Sequence, residues 1–293
     1  MSEEPTCPPP DHSERTDMWW RVLAIGAVLY FLGVGILAWT GNSNLFPTVI
    51  MLGSSLVPAA YVAFFYQRRR LSRLTMTTTA MAFFWGGVLG VFAAGVLEPL
   101  FISSLDFFTA FLVGLIEEAA KMLGVLVIAR HRRHDSELDG LILGAAAGMG
   151  FAALESTGYA FTAFLNTQGS LSVTVATVLI RGILAPLGHG TWTAILAAVL
   201  FREGSVHRFH VTPKVAGAYL LVASLHGLWD GVPSALGFLG PGISAAVGQL
   251  LVGGAGLYIL WRIWRQAVRR QMELMAVEAQ AQATPEEQAT PQR

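Results

Sequence analysis

Eight ionisable side chains inside apolar stretches of this chain are the residues whose types and spacing could do chemistry. Glu117, Glu118 and Lys121 fall in one stretch, Glu155 in the next, Arg181 and His189 in a third, and His226 and Asp230 in a fourth. A charged group at the centre of a membrane helix costs at least about 2.5–3.5 kcal/mol on insertion scales, and so it faces a partner or a cavity. Clustering in four consecutive stretches points to one polar site shared between them. Positions four apart share a helix face, which relates Glu117 to Lys121, Glu155 to Tyr159, and His226 to Asp230. Glu118 lies about 100° around from Glu117, so the two carboxylates can serve different neighbours. Carboxylates and imidazoles held among fixed cations are the equipment of general acid–base chemistry on water.

The elements that must position these groups follow from composition. Of 293 residues, 54% are hydrophobic and 13% charged, against about a quarter charged in an ordinary soluble domain. A soluble core could not absorb that much apolar surface. The formal charge is zero and gives no sign of a nucleic-acid partner. Apolar runs close to the ~20 residues needed to cross a bilayer recur at about 20–40, 45–66, 75–97, 107–129, 141–165, 173–201, 215–232 and 243–264. The expected fold is therefore all-α, a polytopic, multi-pass integral protein of the cell membrane with eight transmembrane helices over 18–270. The sixth run is over-long and contains Gly182, Pro186, Gly188 and Gly190, which predicts a break near its middle. Gly140, Gly144 and Gly148 form a small-residue stripe that allows close helix approach, expected to help set Glu155 against the fourth helix.

Basic residues test the count, because cytoplasmic loops are enriched in Lys and Arg. The second connection holds Arg68, Arg69, Arg70 and Arg73, the fourth Arg130, Arg132 and Arg133, and the sixth Arg202, Arg208 and Lys214. The odd-numbered connections hold none. That alternation predicts eight spans with both termini cytoplasmic. Residues 1–17 and 271–293, rich in Pro, Gln, Thr, Glu and Ala, are expected to be largely disordered tails. The late, spanning-length first run argues against a cleaved signal peptide, and the single cysteine, Cys7, can form no internal disulfide.

Several chemistries are excluded by motif. There is no GxSxG, no HExxH, and Asp230 is the only aspartate deep in a span, which leaves no aspartyl dyad. What is present is an ordered set: Glu117-Glu118-Ala119-Ala120-Lys121; Phe151-Ala152-Ala153-Leu154-Glu155 followed by Tyr159; Arg181, Pro186 and His189; and His226-Gly227-Leu228-Trp229-Asp230. These four motifs, over about 107–232, resemble the PrsW family of intramembrane proteases, related to the CAAX prenyl endopeptidases and to a non-catalytic gamma-secretase scaffold subunit. The resemblance implies hydrolysis of membrane-anchored proteins, of which anti-sigma factors are the family's known substrate type. It further implies that Glu117 or Glu118 activates water and that Lys121 tunes that pair. Glu155, His189, His226 and Asp230 would bind the water or stabilise the oxyanion, with Arg181 as a counter-ion. One departure is visible: the second-motif glutamate is usually followed by Asn, and here by Ser156, whose hydroxyl can still hydrogen-bond.

Two versions of the site stay open. His189 and His226 with a carboxylate would match a catalytic zinc site. Alternatively, the same groups hold a water without metal, and Arg181 and Lys121 keep the carboxylates ionised. Buried Glu, His and Arg would also suit a proton-coupled transporter or channel, and the scaffold relative suggests a non-catalytic role. Counting helix rise from the connections that lack basic residues puts Glu117 ~15 Å below the outer end of its helix. Asp230 is nearest that face, so the site should open toward the extracytoplasmic leaflet.

Overall fold

The computed structural model describes residues 18–69, 71–72, 74–130, 136–204 and 208–283; the N-terminal tail expected over 1–17 lies outside them. Among the described residues the chain folds as α1 (Met18–Thr40), α2 (Phe46–Gln67), α3 (Met76–Phe101), α4 (Phe107–Ala129), α5 (Glu137–Asn166), α6 (Leu171–Leu184), α7 (His189–Glu203), α8 (Pro213–Ala235) and α9 (Pro241–Ala283). Among the described residues seven segments are long and apolar enough to cross a membrane, α6 and α7 together forming one of them. The 23-residue α4 is of spanning length as well. It differs from the others in carrying Glu117, Glu118 and Lys121 in its middle. The protein is thus an all-helical, multi-pass membrane protein. Outward-facing side chains are apolar and wide open, among them Trp39, Phe92 and Ile183, as expected where lipid tails replace water.

Local chemistry sets the helix ends. Asp106 accepts from the backbone N–H groups of Phe108 and Thr109 at 2.9 and 2.8 Å, and these bonds start α4. The bonds from Thr109 also hold the Asp106 carboxyl below its ordinary range. The expected break in the sixth run is present. Ala185–Leu187 forms a single 3-10 turn, and Pro186 and Gly188 end α6 so that α7 restarts at His189. The Thr191 hydroxyl donates to the Pro186 carbonyl at 2.7 Å and accepts from Tyr61 Oη at 3.1 Å. The turn is thereby satisfied within the bundle, as backbone at membrane depth must be.

Helix α5 is the central element, buried without interruption from Glu137 to Ala153. Its glycine stripe, expected to allow a close helix approach, meets α7. A Cβ at Gly140, Gly144 or Gly148 would run into the carbonyl oxygens of Ala197, Thr193 and His189, all on α7. The stripe therefore seats α5 on α7. A second set of small residues joins α3 to its neighbours, with Gly86 against Ala147 of α5 and Gly124 of α4 against Gly86. Helix α4 packs chiefly on α3 and α8, α6 on α2 and α5.

The segments carrying basic connections meet at one end of the bundle. Ser72 donates to Asp139, Arg270 to Glu137 at 2.9 Å, and Arg202 approaches Glu137 at 3.6 Å. This matches the alternation in sequence. The tail expected to be disordered from 271 is helical as far as Ala283. Its Met, Glu, Gln and Ala residues are strong helix formers, and Gln271 accepts from Ser136 Oγ at 2.9 Å.

Candidate active site

Helices α4, α5, α6, α7 and α8 bring all eight residues singled out in the sequence into one connected network. At its centre is Lys121, fully buried. Its Nζ donates to Glu117 Oε2 at 3.0 Å, Glu118 Oε1 at 2.7 Å and His189 Nδ1 at 2.8 Å. An ammonium has three protons, so all are spent, and its methylenes reach there beneath Phe151, whose ring centroid is 4.2 Å from Nζ.

That arrangement fixes the histidines. Because His189 Nδ1 accepts, its Nε2 carries the proton and donates to Glu155 Oε2 at 3.0 Å. Arg181 Nη2 reaches the same carboxylate oxygen at 2.6 Å, while its Nε donates to Ser156 Oγ at 3.1 Å and its guanidinium covers the Tyr159 ring. The hydroxyl that stands in place of the family's usual amide is therefore in use. Across the site, His226 Nδ1 donates to Glu118 Oε1 at 3.1 Å, and Thr193 donates to the other oxygen of Glu118 at 3.1 Å. His226 Nε2 then faces Glu117 Oε2 at 3.6 Å and Asp230 Oδ2 at 3.4 Å. Trp192, fully buried, stacks on His226 with ring centroids 4.7 Å apart and lies edge-on to His189 at 5.4 Å.

Two features were not visible in the motifs. Trp192, against both imidazoles, and Thr193, on Glu118, emerge as parts of the site only once α7 is seated. Glu98 of α3 is the other: its carboxyl lies within hydrogen-bonding reach of Glu117 and close enough to Glu155, His226 and Lys121 to interact with each. It lies one residue beyond the apolar run at 75–97.

The donor set fits a metal ion. One ligand atom each from Glu117, His189 and His226 can be chosen so that all lie within 4.8 Å of one another. Each imidazole has a carboxylate on the nitrogen turned away from Glu117, Glu155 for His189 and Glu118 for His226, the usual way of orienting a metal-ligating histidine. Glu117, Glu118, Glu155 and Asp230 also outnumber Lys121 and Arg181, an excess of negative charge that a dication would balance. The engagement of His189 Nδ1 by Lys121 is the one feature against it. Binding through that atom requires Lys121 to give up one of its three bonds.

Comparison with known proteins agrees with this geometry. The family model for PrsW family intramembrane metalloproteases matches residues 75–260, more than half of the chain. No curated protein and no solved structure matches. The matched region runs from the residue that caps α3 into α9 and contains every residue of the network, and the chain belongs to the PrsW family of intramembrane metalloproteases.

Proposed function

We propose that the network is the catalytic centre of the protease and that it hydrolyses membrane-anchored proteins, anti-sigma factors among them, near the extracytoplasmic side of the cell membrane. The observation that carries this reading is the convergence on Glu117 Oε2 of one nitrogen from each imidazole, His189 Nδ1 at 3.8 Å and His226 Nε2 at 3.6 Å. Each ring is held from behind by a second carboxylate. A zinc ion held by Glu117, His189 and His226 would act as the Lewis acid that polarises the scissile carbonyl and eases loss of a proton from water.

The other residues have separable tasks. Glu118, fully buried and taken up by Lys121, Thr193 and His226, is part of the framework, and Glu117 is the member of the pair at the reacting centre. Glu155 orients His189, and Arg181 holds Glu155. Substrate reaches the centre from the side on which the network is open. The side chains of Arg181, Asp230 and Glu155 are 28%, 28% and 20% exposed, against 0% for Lys121 and Glu118. Helix rise supports an extracytoplasmic opening: on α8, Asp230 lies five residues, about 8 Å, from the end at Ala235. The basic connections gather at the opposite end of the bundle, which supports cytoplasmic termini.

Quantitative comparison of membrane proteomes tests the reading. Cells lacking the protein and cells carrying Glu117→Ala should accumulate the same uncut membrane proteins, with product termini in wild-type cells mapping to the extracytoplasmic side. Cutting by Glu117→Ala at the wild-type rate would overturn it.

A further inference from the structure

Peptide hydrolysis needs an acceptor for the hydrogen bond of the attacking water, and most carboxylates of the network already have donors. Glu118 receives bonds from Lys121, Thr193 and His226, and Glu155 from Arg181 and His189. Glu117 takes Lys121 and faces both imidazoles. Glu98 differs: its Oε1 is buried and has no hydrogen-bond partner among the described residues. A buried acceptor left unpaired costs about 1–3 kcal/mol, so its retention beside a hydrolytic centre has to be explained by what it meets there.

The helix geometry accounts for its reach. Gly90, Ala94 and Glu98 recur every fourth residue of α3 and so share a face. A Cβ on Gly90 would sit 2.7 Å from the Phe151 ring and 3.6 Å from Lys121 Cγ, and Ala94 is buried on the same face. Glu98 is one turn further toward the end of α3. Helical side chains lean back toward the N-terminus, so its carboxyl returns toward the level of Ala94. On the antiparallel α4 that level is one turn from Lys121 and belongs to Glu117, which is the group Glu98 meets.

We propose that Glu98 is a further catalytic residue, its free oxygen holding the attacking water beside Glu117. This rests on the reading of the network as the hydrolytic centre.

The test uses isolated membranes in which the full-length protein and a membrane protein left uncut by Glu117→Ala cells are both present. Glu98→Ala should lower the cutting rate at least about a hundredfold, the scale on which a positioned proton acceptor acts. Metal content and melting temperature of the purified variant should stay at the wild-type values. Added formate, a carboxylate small enough to occupy the space left, should raise the rate at least about tenfold in a saturable way, a response that a merely structural role would not give. Glu98→Gln, which keeps the volume and gives Glu117 an amide donor, should also bind metal normally and cut slowly. Cutting by Glu98→Ala within about threefold of wild type, or slowed cutting that formate does not raise, would overturn the inference. Glu117→Ala in the same membranes separates the two levels. Cutting there sinks the reading of the whole centre; no cutting there with full speed in Glu98→Ala sinks the role of Glu98 alone.

Discussion

His226 and Glu118 are joined through Nδ1 at 3.1 Å, and this one bond decides which face of the imidazole is offered to the site. With Nδ1 turned to Glu118, Nε2 is the nitrogen offered to the site, where it faces Glu117 and Asp230. Glu118→Gln keeps the size but lets the amide turn its nitrogen toward Lys121 or His226. Loss of such a partner costs about 10–100-fold in metal affinity, so Glu118→Gln should bind zinc about 10–100-fold more weakly than wild type by equilibrium dialysis. Affinity within twofold of wild type would remove Glu118 from the framework role.

Lys121 tests the electrostatic side of the same framework. It is fully buried with two carboxylates and an imidazole on its three protons. Removing one member of a buried charge group costs about 3–5 kcal/mol because the remaining charge is left uncompensated. Lys121→Met should therefore melt well below wild type in detergent, whereas Lys121→Met combined with Glu118→Gln should recover part of the loss. Equal melting of the single and double variants would show that the charges do not depend on one another.

The eight residues of the network were legible in the sequence because charge inside an apolar run is costly and rarely idle. The same contrast hid Glu98, which sits where an apolar run ends and a carboxylate can be read as a solvated helix end. Which of Glu117 and Glu118 lies between the two imidazoles could not be read from spacing, since both lie within bonding reach of Lys121, one at i+4 and one at i+3. The break at Pro186 and Gly188 was legible from residue type. The partner of the glycine stripe was not: small residues announce close approach without saying what approaches.

That stripe gives a prediction with an internal control. At Gly148 an added methyl would collide with the backbone carbonyl of His189, while at Gly158 there is nothing within 4 Å. Overpacking a tight contact costs about 1–3 kcal/mol. Gly148→Ala should lower the melting temperature and, by pushing His189 from its place, weaken metal binding and slow cutting. Gly158→Ala on the same helix should leave all three unchanged. If both variants behave alike, the α5 and α7 packing does not set the position of His189.

The last prediction concerns the metal, on which Lys121 and the two histidines pull in opposite directions. The rings present Nδ1 of His189 and Nε2 of His226 toward Glu117, and each is oriented from behind by a carboxylate, as a zinc ligand would be. Lys121 already occupies His189 Nδ1 at 2.8 Å, so an ion can take that atom only as the ammonium moves back onto Glu117 and Glu118. Two cations so close repel, and the surplus of carboxylates over cations is what makes their coexistence feasible. Purified active protein should then contain close to one equivalent of metal by elemental analysis. Chelation should silence it reversibly, and His189→Ala or His226→Ala should remove the bound metal along with the activity. Full cutting by a metal-free preparation would rule out the zinc version. Lys121 would then be the permanent cation of the site, and the carboxylates would act on water without Lewis-acid help.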